Sequence, residues 1–178
     1  MPEYRRARVP GGTYFFTVNL LERHDNNALV REIDLLRKVV KRVRELHPFH
    51  IDAWVVLPEH MHAVWTLPES DSDYSLRWRL IRSLFSKALP REEYRSDVRL
   101  ARGERGIWQR RYWEHLIRDE IDFAQHVDYV HINPVKHGLV SCAADWPYST
   151  FHRYVRSGVY SSNWAVAPEV GLITVADD

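Results

Sequence analysis

The run Phe49-His50-Ile51-Asp52-Ala53-Trp54-Val55-Val56-Leu57-Pro58-Glu59-His60-Met61-His62-Ala63-Val64-Trp65-Thr66-Leu67 holds two segments rich in β-branched and aromatic residues, 49–57 and 60–67, joined through Pro58 and Glu59. So short a connection predicts antiparallel neighbours, that is, a hairpin. Upstream, Leu29, Ile33, Leu36, Val39, Val40, Val43 and Leu46 recur at three- and four-residue steps between Arg, Lys and Glu. That spacing predicts an amphipathic helix from Ala28 to about His47, ended by Pro48 and packed beneath the hairpin. Further upstream, after a turn at Pro10, Gly11 and Gly12, residues 13–20 read as a first strand.

Downstream, a second helix is expected from Ser75 to about Leu89, with Leu76, Leu80, Leu84 and Ala88 on its apolar stripe, arginines opposite, and Pro90 closing it. Residues 91–106 read as a mobile loop and 107–117 as a further strand whose alternation is broken by Arg110 and Arg111. A helix over 119–132 offers Ile121, Phe123, Ala124, Val127 and Val130 to the core, and Asn133 with Pro134 marks its end. Gly138 breaks the chain again, and a short helix runs from Tyr148 to Val155. The order strand, helix, strand, strand, helix, strand, helix predicts an α+β fold: a ferredoxin-like or RRM-like antiparallel sheet with helices packed mainly on one face.

With 178 residues, 45% of them hydrophobic and 28% charged, the chain suits a single domain over 1–178 with an irregular tail from about residue 157. There is no internal repeat, no linker, no apolar stretch long enough for a membrane helix and no signal-like N-terminus, so a cytoplasmic location is expected. The single cysteine, Cys142, excludes an internal disulfide, a Cys-rich zinc module and a CxxC redox centre. Any metal must therefore be held by His, Asn or carboxylates. The net charge of +1 hides an uneven distribution, because residues 77–118 hold twelve Lys or Arg against five Asp or Glu. Trp78, Phe85, Trp108, Tyr112 and Trp113 are interleaved with these arginines, a pattern suited to phosphates and unstacked bases.

His60 and His62 flank Met61 on a predicted strand, so both imidazoles project from one face and can share a metal. With ten histidines in the chain, such a pair alone is close to chance, and its strand context gives it weight. Tyr129 and Asn133 lie four apart on a predicted helix and share a face. A phenol can act as a covalent nucleophile, and an amide oxygen can complete a ligand set begun by two histidines. Taken singly, each of these residues has an ordinary structural role.

Taken with their surroundings, they resemble the REP-associated tyrosine transposases of the HUH single-tyrosine superfamily. The resemblance is carried by Gly11-Gly12-Thr13-Tyr14-Phe15-Phe16-Thr17-Val18-Asn19, Trp54-Val55-Val56-Leu57-Pro58-Glu59-His60-Met61-His62 and Ile107-Trp108-Gln109-Arg110-Arg111-Tyr112-Trp113-Glu114-His115. It continues in Asp128-Tyr129-Val130-His131-Ile132-Asn133-Pro134-Val135-Lys136-His137-Gly138 and Asp145-Trp146-Pro147-Tyr148-Ser149-Thr150-Phe151-His152. The segments are co-linear from about residue 4 to about 155.

The resemblance implies that His60, His62 and Asn133 ligate a divalent cation, Mg2+ or Mn2+, and that Tyr129 is the nucleophile; related transposases often use Gln at the Asn133 position. It also implies a substrate of single-stranded DNA hairpins with a short guide sequence at the foot, cut to leave a 5′-phosphotyrosine adduct and a free 3′-OH, then rejoined. The REP-associated branch implies a monomer and related insertion-sequence enzymes a dimer, with the protein on the nucleoid when bound to DNA. Charge and position nominate Arg5, Arg6, Arg8, Arg77, Arg79, Arg82, Arg110, Arg111 and Lys136 for DNA contacts. Two other readings compete: a noncatalytic hairpin-binding domain, and a metal-dependent phosphodiester hydrolase using His60, His62 and a further histidine such as His131.

Overall fold

In the computed structural model, which describes residues 6–165, the strands β1 (Thr13–Asn19), β2 (His50–Val56), β3 (His60–Thr66) and β4 (Trp113–Leu116) form one sheet of order β2-β3-β1-β4. Every neighbouring pair is antiparallel, the split βαβ arrangement of ferredoxin-like folds. Helices α1 (Ala28–Arg31) and α2 (Ile33–Leu46) connect β1 to β2. Helices α3 (Tyr74–Ala88) and α4 (Asp97–Ala101) lie between β3 and β4, and α5 (Glu120–Lys136) and α6 (Phe151–Arg156) follow.

Strand alternation divides the core in two. Tyr14, Phe16 and Val18 of β1 and Met61, Ala63 and Trp65 of β3 pack with Leu36, Val39 and Val43 of α2 and Trp78, Ile81 and Phe85 of α3. The stacked Trp65 and Trp78 rings, 4.2 Å apart, sit in this layer. Phe15, Ala53, Val55 and Val64 face the other way, onto Val127, Tyr129 and Val130 of α5. Two of the three long helices therefore share one face, and the third covers the face onto which His60 and His62 project. Residues 157–165 form turns and bends, with Tyr160 and Trp164 stacked at 4.3 Å beside Phe151. The part of the expected tail beyond residue 165 lies outside the described residues.

Several sequence expectations are corrected. The helix expected over 28–47 bends at Glu32 (φ −103°, ψ 31°), where α1 is drawn toward the hairpin by the bond from Leu29 N–H to the Pro58 carbonyl, 3.1 Å. Of residues 107–117 only Trp113–Leu116 join the ladder, apart from an isolated bridge between Leu20 and Trp108; Arg110 and Arg111 lie outside it, exposed. The segment 91–106 carries α4 and is tied down by Arg105, which donates to Glu93 (2.6 Å) and to the Leu89 carbonyl (2.9 Å).

Of the expected stripe of α3, Leu76, Leu80, Leu84 and Ala88, only Leu80 packs against the core, and that only partly buried. Tyr74, Trp78, Ile81 and Phe85 are buried, Leu84 is 36% exposed, and Arg77 shares the inward face at 1% exposure. Large aromatic surfaces outweigh a leucine repeat for the core face. Arg77 donates to the carbonyls of His47 (3.2 Å), Pro48 (2.6 Å) and Asp73 (2.9 Å) and to Asp71 Oδ2 (2.7 Å). Its expected contact with the DNA backbone is therefore overturned, because every guanidinium nitrogen is already bonded and buried.

Nor does α5 end at Asn133. It continues through Pro134 to Lys136, and its last carbonyls are met by Gly138 N–H to Val135 O and Leu139 N–H to Pro134 O, both 2.9 Å, with Gly138 at φ 68°. This Schellman closure, with burial of Ile132, Pro134 and Val135, offsets the hydrogen bond that proline cannot donate. The Arg77→Leu variant is expected to lose about 2–3 kcal/mol of stability by leaving buried carbonyls without a donor, measured by urea unfolding, and to bind DNA like the parent while folded.

Candidate active site

The β1–β3 register sets Thr17 opposite His62 and Asn19 opposite His60, all on the α5 side of the sheet. Both imidazoles are 3% exposed, and their rings lie 4.9 Å apart. Each has its Nδ1 occupied. His62 Nδ1 is 2.8 Å from Thr17 Oγ1, and His60 Nδ1 is 2.9 Å from Glu59 Oε1. Glu59 is held in turn by Arg23 at 3.3 Å. Such partners fix the tautomer and direct the other ring nitrogen, Nε2, toward a ligand.

Burial pushes His62 well below the ordinary imidazole range, helped by the neighbouring His60, His137 and Lys136 and opposed by the Asn133 amide. Burial also lowers His60 to about 4 against the opposing pull of Glu59. Burial alone would raise Glu59, yet His60 and Arg23 hold it below the usual carboxylate range. Both histidines are consequently neutral at pH 7, the protonation state that binds metal.

The helix α5 completes the arrangement. Tyr129 is 2% exposed and its ring meets His62 edge to face at 5.2 Å and Phe15 at 5.8 Å. Asn133, fully buried, donates from Nδ2 to the Tyr129 carbonyl at 2.9 Å, which commits the donor side of its amide and leaves the oxygen as the acceptor on offer. Asn133 Oδ1 and His62 Nε2 are buried atoms with no hydrogen-bond partner among the described residues. The two side chains are close enough to interact but form no hydrogen bond of good geometry, and an imidazole nitrogen and an amide oxygen so placed fit a divalent ion with mixed nitrogen and oxygen ligands. Because α5 continues past Pro134, Lys136 returns to the Tyr129 face, its Nζ 4.7 Å from the ring centroid. The His137 ring reaches 5.0 Å from that of His60. Thr17, Asn19, Arg23, His60, His62, Trp113, Tyr129 and His137 line an open cleft of about 310 Å3.

The nominated arginines gather elsewhere. Arg6 stacks on Tyr112 at 4.3 Å and donates to its hydroxyl at 2.7 Å. With Arg79, Arg82, Arg110, Tyr112 and Trp108 it lines a basic cleft of about 390 Å3 beside α3. Arg82 is turned toward the carbonyls of Gln109 and Arg110 and so holds the segment leading into β4. Arg8 and Arg111 are exposed, and Arg5 lies outside the described residues.

His131 is fully buried away from this cleft, with Nε2 2.8 Å from Thr150 Oγ1 and its ring against Tyr154 and Tyr160. The sequence reading did not assign roles to Thr17, Glu59 and Arg23, although the neighbouring Glu59-His60 and the strand position of Thr17 were signals for them. It also missed a group able to hold a metal ion, His115, Asp122 and His126, whose ligand atoms lie within 4.8 Å of one another. Asp122 and His126, four apart on one helix, were the signal there. Among the described residues no helix is long and apolar enough to cross a membrane.

No family model matches the chain. A REP-associated tyrosine transposase of Escherichia coli is 50% identical over 165 residues, covering 93% of this chain and 92% of that one. A Haemophilus influenzae relative named for the same family is 42% identical over 174 residues, covering 97% and 98%. A solved REP-associated tyrosine transposase bound to a REP hairpin superposes with a TM-score of 0.82 at 47% identity, over 99% of this chain and 96% of that one. Fold and relatives together define a tyrosine transposase, an enzyme that cuts and rejoins DNA. Within that class the chain belongs to the REP-associated tyrosine transposase family.

Replacing the carboxylate that orients His60 tests the ligand arrangement. Glu59→Gln is expected to weaken Mn2+ binding about 10- to 100-fold in calorimetric titration while leaving the fold intact.

Proposed function

We propose that the protein cuts single-stranded DNA beside REP-type hairpins by attack of the Tyr129 hydroxyl on a phosphodiester, and then reverses the step onto another 3′ end. The observation that carries this reading is the meeting of a buried phenol, two neutral imidazoles and an unpartnered amide oxygen in one region of the fold. His60, His62 and Asn133 would hold a divalent cation, Mg2+ or Mn2+, which when bound supplies Lewis-acid polarisation of the phosphate and charge neutralisation. Imidazole ligands favour Mn2+ in affinity, and availability decides between the two.

In the chemical step the bond between the Tyr129 oxygen and phosphorus forms as the bond from phosphorus to the 3′ oxygen breaks. The electron pair passes to the 3′ oxygen, and the phenolic proton reaches it by way of water, leaving a 5′-phosphotyrosine and a 3′-OH. Because the reaction is a transesterification, no nucleotide cofactor is consumed. Lys136 supplies a fixed positive charge beside the phenol for the phosphate joined to it. The basic cleft of Arg6, Arg79, Arg82 and Arg110, together with Arg5, Arg8 and Arg111, binds the hairpin through its phosphates, and Tyr112 offers a stacking surface. All four residues of the site come from one chain, which fits a monomer.

The hydrolase reading gains no support from His131, which contacts Thr150 and Tyr160 instead of the cleft. A noncatalytic binding domain would give no reason to gather two imidazoles and an amide around a buried phenol.

The test uses labelled hairpin oligonucleotides from DNA flanking the gene. The wild-type chain is expected to carry covalently attached label on denaturing gels with Mn2+. EDTA and Tyr129→Phe are each expected to abolish it; cleavage persisting in Tyr129→Phe would favour a hydrolase, and binding without cutting a passive module. Lys136→Gln is expected to slow single-turnover adduct formation about 100-fold at saturating DNA, with Lys136→Arg recovering most of it.

A further inference from the structure

The edge strand β4 and the first turns of α5 bring together His115, Asp122 and His126, none of which lines the cleft of His60 and His62. His115 Nε2 lies 2.9 Å from Asp122 Oδ2, and His126 Nδ1 lies 3.0 Å from Asp122 Oδ1. A tetrahedral ion with bonds of about 2.0–2.2 Å sets its donors about 3.3–3.6 Å apart, so each histidine needs to draw back from the carboxylate by only about half an ångström to admit one. The imidazole rings are 4.6 Å apart and within 15° of parallel, so both approach one carboxylate side by side. The side chains of Asp122 and His126 are each 7% exposed and that of His115 27%, which gives an ion a buried seat and one side open to water.

We propose that His115, Asp122 and His126 form a second metal site, taking a borderline ion such as Zn2+ with water in the remaining position. Two nitrogens and one carboxylate oxygen match that class of ion better than the all-oxygen shell of Ca2+ or Mg2+. Binding takes the place of hydrogen bonds that now join the three residues, among them the 2.8 Å bond of His126 Nδ1 to the Asp122 backbone carbonyl, whose proton passes to water, and it frees Arg118 Nε, 3.4 Å from Asp122 Oδ2, toward solvent, where that side chain is already 75% exposed. The Arg118 N–H keeps its 2.9 Å bond to Asp122 Oδ2, which orients the carboxylate from behind. The ion cross-links β4 to α5, and the effect reaches the nucleophile's surroundings through Phe15. That ring packs on His126 at 4.8 Å, on His62 at 5.7 Å and on Tyr129 at 5.8 Å. The site stands independently of whether His60, His62 and Asn133 hold a metal.

The test titrates Zn2+ into the metal-stripped full-length chain. In the His60→Ala/His62→Ala background one equivalent is expected to bind and to raise Tm by about 5–10 °C at zinc near a hundred times Kd. Adding either His115→Gln or His126→Gln is expected to remove both effects. In the wild-type chain, imidazole 15N spectra are expected to shift His115 and His126 resonances on zinc addition, a readout that needs no substitution. Absence of zinc binding in the His60→Ala/His62→Ala chain, or unshifted His115 and His126 resonances, would overturn the proposal and leave a hydrogen-bonded latch. Zinc lost only with His115 or His126 and indifferent to His60→Ala/His62→Ala would uphold this site and count against the catalytic one.

Discussion

The packing of α5 across the sheet is the contact on which the rest of the site depends. Val127 and Val130 seat the helix on Phe15, Ala53, Val55 and Val64, a layer that excludes water from the face carrying His60 and His62. Once that face is dry, its polar groups must find partners within the protein, since an unpaired buried donor or acceptor costs about 1–3 kcal/mol. Thr17 and Glu59 meet the Nδ1 atoms, and Arg23 neutralises Glu59. His62 Nε2 and Asn133 Oδ1 are left without a well-formed hydrogen bond and lie close enough to interact with each other. Burial thus does two things together: it keeps the imidazoles neutral, and it makes their lone pairs expensive to leave alone.

A second constraint concerns the end of that helix. Had it stopped before Pro134, Asn133 would sit on a fraying terminus and Lys136 would lie in a loop. The glycine at 138, in a left-handed conformation, closes the carbonyls and lets one more turn form. Tyr129, Asn133 and Lys136 then fall at helical positions i, i+4 and i+7 on one face. A side chain on a rigid, doubly capped helix is placed more precisely than one on a loop, and the N-terminal cap, in which Asp122 N–H donates to Asp119 Oδ1, secures the other end.

Much of this was legible in the sequence. The hairpin of β2 and β3, the first strand and the face shared by His60 and His62 follow from period-two alternation, which survives folding because a one-residue slip would reverse every side chain. The pairing of Tyr129 with Asn133 follows from helical spacing. What escaped depends on three-dimensional competition. The leucine repeat of α3 lost the core to Tyr74, Trp78, Ile81 and Phe85, and Arg77 went inside with them because Asp71 and two carbonyls in the chain leading into β2 awaited it. The breaker at Pro134 was overridden by burial of its neighbours. The partners of His115 are assembled from a strand and a helix whose docking no local pattern announces.

The central proposal is that sheet and helix converge their donor atoms on one ion beside Tyr129, the proposed nucleophile. Anomalous diffraction at the manganese edge from crystals of the wild-type chain soaked in Mn2+ tests it most directly. The account predicts one peak at metal-bonding distance from His60 Nε2, His62 Nε2 and Asn133 Oδ1 together, next to the Tyr129 hydroxyl. Manganese bound there without Asn133, or no peak between the two histidines, would contradict it.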